Sequence, residues 1–225
     1  MTIPNPIDFV KNYDKIGIYL YFRLIQQRCI KKMYMFIGFV DENYKYEYEP
    51  LPNDAKRINI KGMALKSCFA GLVGIIIGYV ILLLKQYCIC NGESLLNRPF
   101  ILLGIVIGAL LLVVHELLHL IPYPQKSSKI VAIKNWTPCA FCSRAISKGA
   151  FILSSLLPVS LGVIPILLFL LIPASNDVIN TVLWTVGVIG LATPARDYVE
   201  AWTCLISVPS KSRIQSGVDG FYYYK

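Results

Sequence analysis

The chain holds two histidines, and both fall in one apolar run, LLVVHELLHLIP, at residues 111–122. His115 and His119 stand four apart with Glu116 beside the first. On a helix, positions i and i+4 share a face one turn apart. Both imidazoles can therefore reach one cation while the adjacent carboxylate takes a proton from water. This is the H-E-x-x-H spacing, and the chemistry it serves is zinc-assisted hydrolysis. The plain alternative is a pair of imidazoles packed between helices and bonded to backbone carbonyls. Energetics weigh against it. A carboxylate at membrane depth costs roughly 2.5 to 3.5 kcal/mol even on the gentler insertion scales. A divalent cation or a wet cavity beside Glu116 offsets that cost; packing alone does not.

The elements around this motif are those of a membrane. Of 225 residues, 56% are hydrophobic and only 16% charged, where soluble domains carry about a quarter. The fold class expected is an all-α polytopic membrane protein with about four transmembrane helices, at 64–84, 99–120, 151–173 and 178–196. Internal prolines should kink the third, and the fourth is the least hydrophobic, as a span lining a polar site can be. Residues 1–63 read as a cytoplasmic and interfacial N-terminal region of α+β character, 64–205 as the membrane domain and 206–225 as a cytoplasmic tail. Within the first region IGIYLYFRLI reads as an interfacial amphipathic helix. MYMFIGFVDENYKYEYE reads as a hairpin turning at Asp-Glu-Asn, and the terminal FYYYK as an aromatic interface anchor.

The opening MTIPNPIDFVKNYDK is polar and lacks the apolar core of a cleavable signal, so the first span is expected to direct insertion. Lys and Arg number 11 up to Lys66, 2 over 85–98, 5 over 121–150, none in the ASND turn and 4 from Arg196 onward. Both termini and the loop between spans two and three are thus expected in the cytoplasm. The net charge of +9 reads as this asymmetry facing anionic lipid, not as a nucleic-acid surface.

Two histidines leave a catalytic zinc one protein ligand short. Depth selects among the carboxylates. At 1.5 Å per residue, His115 and His119 lie about 24 and 30 Å from the outer end of span two, and Asp197 about 28 Å along span four. Asp177 sits at the opposite surface. Glu200, one turn beyond Asp197, is the alternative ligand or an outer partner, and Arg196 can pair with a carboxylate there. Cys139 or Cys142, a lone C-x-x-C, could serve only if their loop folds back to the site; otherwise they read as residues of a packed turn.

Three segments together carry a resemblance: VVHELLHLI, then LSSLLP in the following span, then GLATPARDYVEAW. The region from about 60 to 205 resembles the zincin-peptidase family that carries the label domain of unknown function 3267. That family is related in plan to the site-2-protease-like intramembrane metallopeptidases. By motif position the resemblance implies zinc ligands at His115, His119 and Asp197 and a general base at Glu116. The segment before Asp197 reads TPARD where site-2 proteases carry an N-P-D-G type motif.

The activity expected is hydrolysis of a peptide bond in a membrane-associated substrate near the cytoplasmic face. Substrate and membrane lipid are the partners, and zinc is the cofactor. A substrate helix must unwind before attack, and the loop SKIVAIKNWTPCAFCSRAISK, with β-branched IVAI followed by a Trp-Thr-Pro turn, reads either as a hairpin whose edge receives it as an added strand or as a plain amphipathic connector. The competing readings are a metal-binding scaffold or transporter component, and a zinc hydrolase of a non-peptide substrate. A transport path would show more intramembrane polar residues than span one offers.

Overall fold

The computed structural model describes residues 34–225 apart from 42, 43, 45 and 126. The amphipathic segment expected at 16–25 lies outside the described residues. Six helices carry the fold: α1 (Met63–Leu84), α2 (Pro99–His119), α3 (Lys148–Leu156), α4 (Ser160–Leu171), α5 (Asp177–Ala192) and α6 (Ala195–Ser207). Met63–Ile89, Pro99–His119 and Lys148–Leu171 are each long and apolar enough to cross a bilayer. Helices α5 and α6, bent by 42°, make a fourth crossing if taken as one span. The third span is broken by a 3-10 turn at Leu157–Val159, where Pro158 has no N–H to continue the helix.

The molecule is mostly helical but not all-α. Seven strands occur among the described residues: β1 (Tyr34–Val40), β2 (Lys56–Arg57), β3 (Lys129–Lys134), β4 (Thr137–Cys142), β5 (Ile146–Ser147), β6 (Arg213–Gly217) and β7 (Gly220–Tyr224). They form two sheets, ordered β1-β3-β4 and β2-β7-β6-β5. The hairpin expected over 33–49 does not form. Strand β1 instead runs parallel to β3, one apolar strand against another. The described part of the presumed second arm is not strand; Tyr44 and Tyr46 set their rings against Phe141. The terminal FYYY is likewise no free anchor but strand β7, paired to β6 and β2. Strands β1 and β2, the loop between spans two and three and the C-terminal strands thus join on one side of the bundle. Beneath them a core of Leu120, Tyr123, Val131, Cys142, Ile146, Phe151, Val208 and Ile214 is sealed.

The bundle is organised around α5, which packs against α1, α2 and α4. Its neighbours offer it glycines. Gly104 and Gly108 of α2 meet Thr185 and Ile189; Gly74 and Gly78 of α1 meet Leu191 and Val188. Small residues one turn apart let helix backbones approach where lipid supplies no hydrophobic drive. The modest hydropathy of this span follows from its place: it is walled by protein, and Asn180, Thr181 and Thr185 are buried within it. The closest backbone approach is Gly190 against Gly162, where a Cβ on Gly190 would stand 2.5 Å from the backbone of Leu161 and Gly162. Backbone cannot yield as a side chain can. Gly190→Ala should therefore lower stability by about 2–3 kcal/mol, the upper part of the overpacking range, read as a fall in detergent unfolding temperature. Gly149→Ala, where no atom lies within 4 Å of the new methyl, is the neutral control.

At the end of the bundle away from the strands, Lys85 is buried. Its ammonium donates to the Phe169 carbonyl, to Ile172 O at 2.7 Å and to Asn180 Oδ1 at 2.6 Å. These bonds employ all three donors and cap the C-terminal turn of α4. Lys85 is a structural pin joining α1, α4 and α5.

Candidate metal centre

The last turns of α2 carry the histidine motif into the seam between the bundle and the strands. His115 is buried, and its ring lies edge-on to that of His119 with centroids 4.8 Å apart. Their Nε2 atoms approach to 3.1 Å. Asp197 arrives from the opposite side. Thr193 and Pro194 interrupt the chain between α5 and α6, because Pro194 lacks an N–H and its ring crowds the preceding turn. The new helix begins at Ala195, and Tyr198 braces the bend through a hydrogen bond to Leu191 O at 3.0 Å. Asp197 thus sits in the first turn of α6, rather than at the end of a helix running through 178–196.

Asp197 Oδ2 stands 3.1 Å from His115 Nε2, and Oδ1 stands 3.5 Å from His119 Nε2. One ligand atom from each of the three residues falls within 4.8 Å of the others. The distances test the fit to zinc. With zinc–nitrogen and zinc–oxygen bonds of about 2.0–2.2 Å, the edges of a tetrahedron are about 3.3 Å. The 3.1 Å between the two nitrogens matches such an edge; Asp197 meets them through different oxygens, Oδ2 at 3.1 Å from His115 and Oδ1 at 3.5 Å from His119, so the carboxylate straddles the space in front of both rings. Borderline nitrogen donors and one hard carboxylate are a donor set that zinc accepts, and these three side chains could hold it.

The outer partners are equally defined. His119 Nδ1 lies 2.9 Å from Ser154 O, and Ser154 Oγ donates to His119 O at 2.5 Å. Glu200 is buried and spends its carboxylate on Arg196, whose Nε lies 2.7 Å away, so the alternative ligand stands outside the trio. Arg196 itself is largely exposed beyond that pair. Cys139 and Cys142 lie three apart on β4 and so face opposite sides of the sheet, which denies them a common ligand. Burial pushes both thiols above the ordinary cysteine range, away from the thiolate form a metal requires.

The loop between spans two and three does form a hairpin. Its turn is Asn135–Trp136, both at positive φ (50° and 61°), the pattern of a type I′ connection. A two-residue loop makes Lys134 and Thr137 a hydrogen-bonded pair, and bonded pairs then alternate along the ladder. Pro138, Ala140 and Cys142 consequently direct their backbone groups away from β3. No strand among the described residues covers that side of β4. Pro138 fits such an edge, since its missing N–H falls where no partner strand needs it. The Ala140 N–H on this edge faces the Glu116 carboxylate, so the open edge runs past the residue between the histidines.

Sequence reasoning found His115, Glu116, His119 and Asp197, which the structure brings together. It assigned no role to Ser154, whose carbonyl and hydroxyl both meet His119, or to Ala140, which acts through its backbone N–H. Residues 108–213 match the model of a protein family described as "Putative zincin peptidase", domain of unknown function 3267. The resemblance read from the histidine motif is thereby borne out for that segment. No curated protein and no solved structure matches the chain.

Proposed function

Taking residues 108–213 as a zincin-peptidase segment, we propose that the protein is a membrane-embedded zinc metallopeptidase. In this reading His115, His119 and Asp197 hold the metal, and the enzyme cuts a peptide bond of a membrane-associated substrate near the cytoplasmic face. The observation that carries it is the convergence of two imidazole nitrogens and the Asp197 carboxylate beside Glu116, with one ligand atom from each residue within 4.8 Å of the others. Bound there, zinc supplies Lewis acidity, polarising a carbonyl and making water a nucleophile near neutral pH. Glu116 removes the attacking water's proton and returns it to the departing amide nitrogen. The basic loop between spans two and three and the C-terminal strands lie on the site's side of the bundle, and basic loops face the cytoplasm.

Strand β4 supplies the place for the substrate backbone. An unwound peptide added to its open edge gains main-chain bonds to Ala140 and Cys142 and runs past Glu116. Ala140→Pro tests this. The lost N–H belongs to no rung of the β3 ladder, so the hairpin and zinc content should persist while turnover falls about tenfold, the worth of roughly one hydrogen bond. Unchanged turnover would exclude the edge as the substrate track.

The test of the activity is comparative membrane proteomics of cells carrying wild-type or Glu116→Gln protein. Cleavage products that vanish with the variant are the expected result. Identical peptide profiles, with both proteins loaded with zinc, would favour a metal-binding scaffold.

A further inference from the structure

We infer that Pro158 and Ser154 are positioning residues of the metal site: the proline frees a backbone carbonyl of the third span to orient His119. The inference rests on the hydrolase reading for its purpose, though not for its geometry. In a continuous helix the carbonyl of residue 154 accepts from the N–H of residue 158. Pro158 has no N–H, and here the helix passes into a 3-10 turn at Leu157–Val159. The carbonyl so released points at α2, where His119 Nδ1 lies 2.9 Å from it. A carbonyl can only accept, so Nδ1 carries the proton. The lone pair is then on Nε2, the atom turned toward His115 and Asp197.

The same residue holds the other end of the contact. His119 ends α2, so its own carbonyl lacks an intrahelical donor. Ser154 Oγ donates to it at 2.5 Å. Ser154 is buried, and its two bonds hold the backbone and ring of His119 together, which sets both the position and the tautomer of the ligand. Elsewhere in the span, Pro165 likewise lacks an N–H for the Leu161 carbonyl, but that carbonyl lies against Gly190 and serves packing. The two prolines of one span thus have separable purposes.

The experiment uses the full chain in nanodiscs, purified as wild type, Pro158→Ala, Ser154→Ala and Pro165→Ala. With only two histidines present, ¹⁵N-histidine labelling gives one ring spectrum per ligand. In zinc-free wild type, at a pH alkaline enough to leave the ring neutral, His119 should carry its single proton on Nδ1. In Pro158→Ala a new amide competes for the Ser154 carbonyl, so the ring should mix tautomers and zinc affinity, measured against a chelator, should fall about 10–100-fold, as for lost outer partners. Ser154→Ala keeps the carbonyl and should keep the tautomer, and Pro165→Ala should bind zinc within about twofold of wild type. Two results would overturn the inference: a neutral His119 ring in zinc-free wild type whose proton sits on Nε2, or a Pro158→Ala protein whose ring spectrum and zinc affinity are unchanged. The first is read on wild type and survives a variant that fails to fold. If wild type binds no zinc, the hydrolase reading fails, while the tautomer still decides the orienting role.

Discussion

Glu116→Gln is expected to reduce turnover by about 10²–10⁴-fold while leaving zinc content unchanged. The rate effect is the usual worth of a positioned general base, about 3–5 kcal/mol of barrier at 1.36 kcal/mol per tenfold. The separation of effects comes from the geometry. Glu116 is not among the three converging donors, so the isosteric amide removes a base and not a ligand. Gln also keeps the shape of the side chain that faces the Ala140 N–H, so the packing of α2 against β4 is preserved. The measurement pairs metal analysis of the purified proteins with cleavage of a peptide taken from the proteomic comparison. Loss of zinc together with activity would move Glu116 into the coordination sphere; full activity would remove it from the chemistry.

Asp197→Ala should abolish activity and weaken zinc binding by more than about 100-fold, beyond the range for outer partners, because a ligand itself is lost. Two imidazoles remain, and catalytic zinc sites ordinarily have three protein ligands. Relief by Glu200 is not expected. Its carboxylate is buried and held by the Arg196 guanidinium at 2.7 Å, and turning it to the metal would break that charge-assisted bond. Asp197→Asn should behave nearly as badly, since the amide fills the space without the charge. Chelator competition on the purified variants measures both. An Asp197→Ala protein that binds zinc as wild type does would return Glu200 to candidacy.

The part of the site legible in sequence was the part written in side chains at fixed helical spacing. His115, Glu116 and His119 announce themselves because an apolar run must justify every polar residue it holds. The depth comparison brought Asp197 to the same level even though the helix assumed for it, 178–196, breaks at Pro194. The level survived because the bend of 42° falls close before the aspartate and displaces it little along the axis. Contacts made by backbone atoms were not legible: the Ser154 carbonyl and the Ala140 amide depend on where β4 and α3 come to rest. Nor could periodicity show that the low hydropathy of α5 comes from central packing against glycines rather than from lining a polar site.

The strands were misread for a related reason. Local alternation proposed a hairpin over 33–49, but β1 found a longer-range apolar partner in β3, and only register across some 95 residues defines that pairing. The hairpin at 129–142 was anticipated from β-branched residues and a turn, and its type I′ connection places Trp136, an unusual residue for positive φ, at the tip. The aromatic C-terminus looked like a membrane anchor because tyrosines suit both an interface and a strand; pairing to β6 decides for the strand.

The measurement closest to the central claim is X-ray absorption at the zinc edge of the purified, full-length protein, with metal stoichiometry on the same sample. One zinc per chain is the predicted result, with two imidazole nitrogens and light oxygen neighbours at about 2.0–2.2 Å. A protein that takes up no zinc, or a zinc with a sulfur neighbour at about 2.3 Å from Cys139 or Cys142, would contradict it.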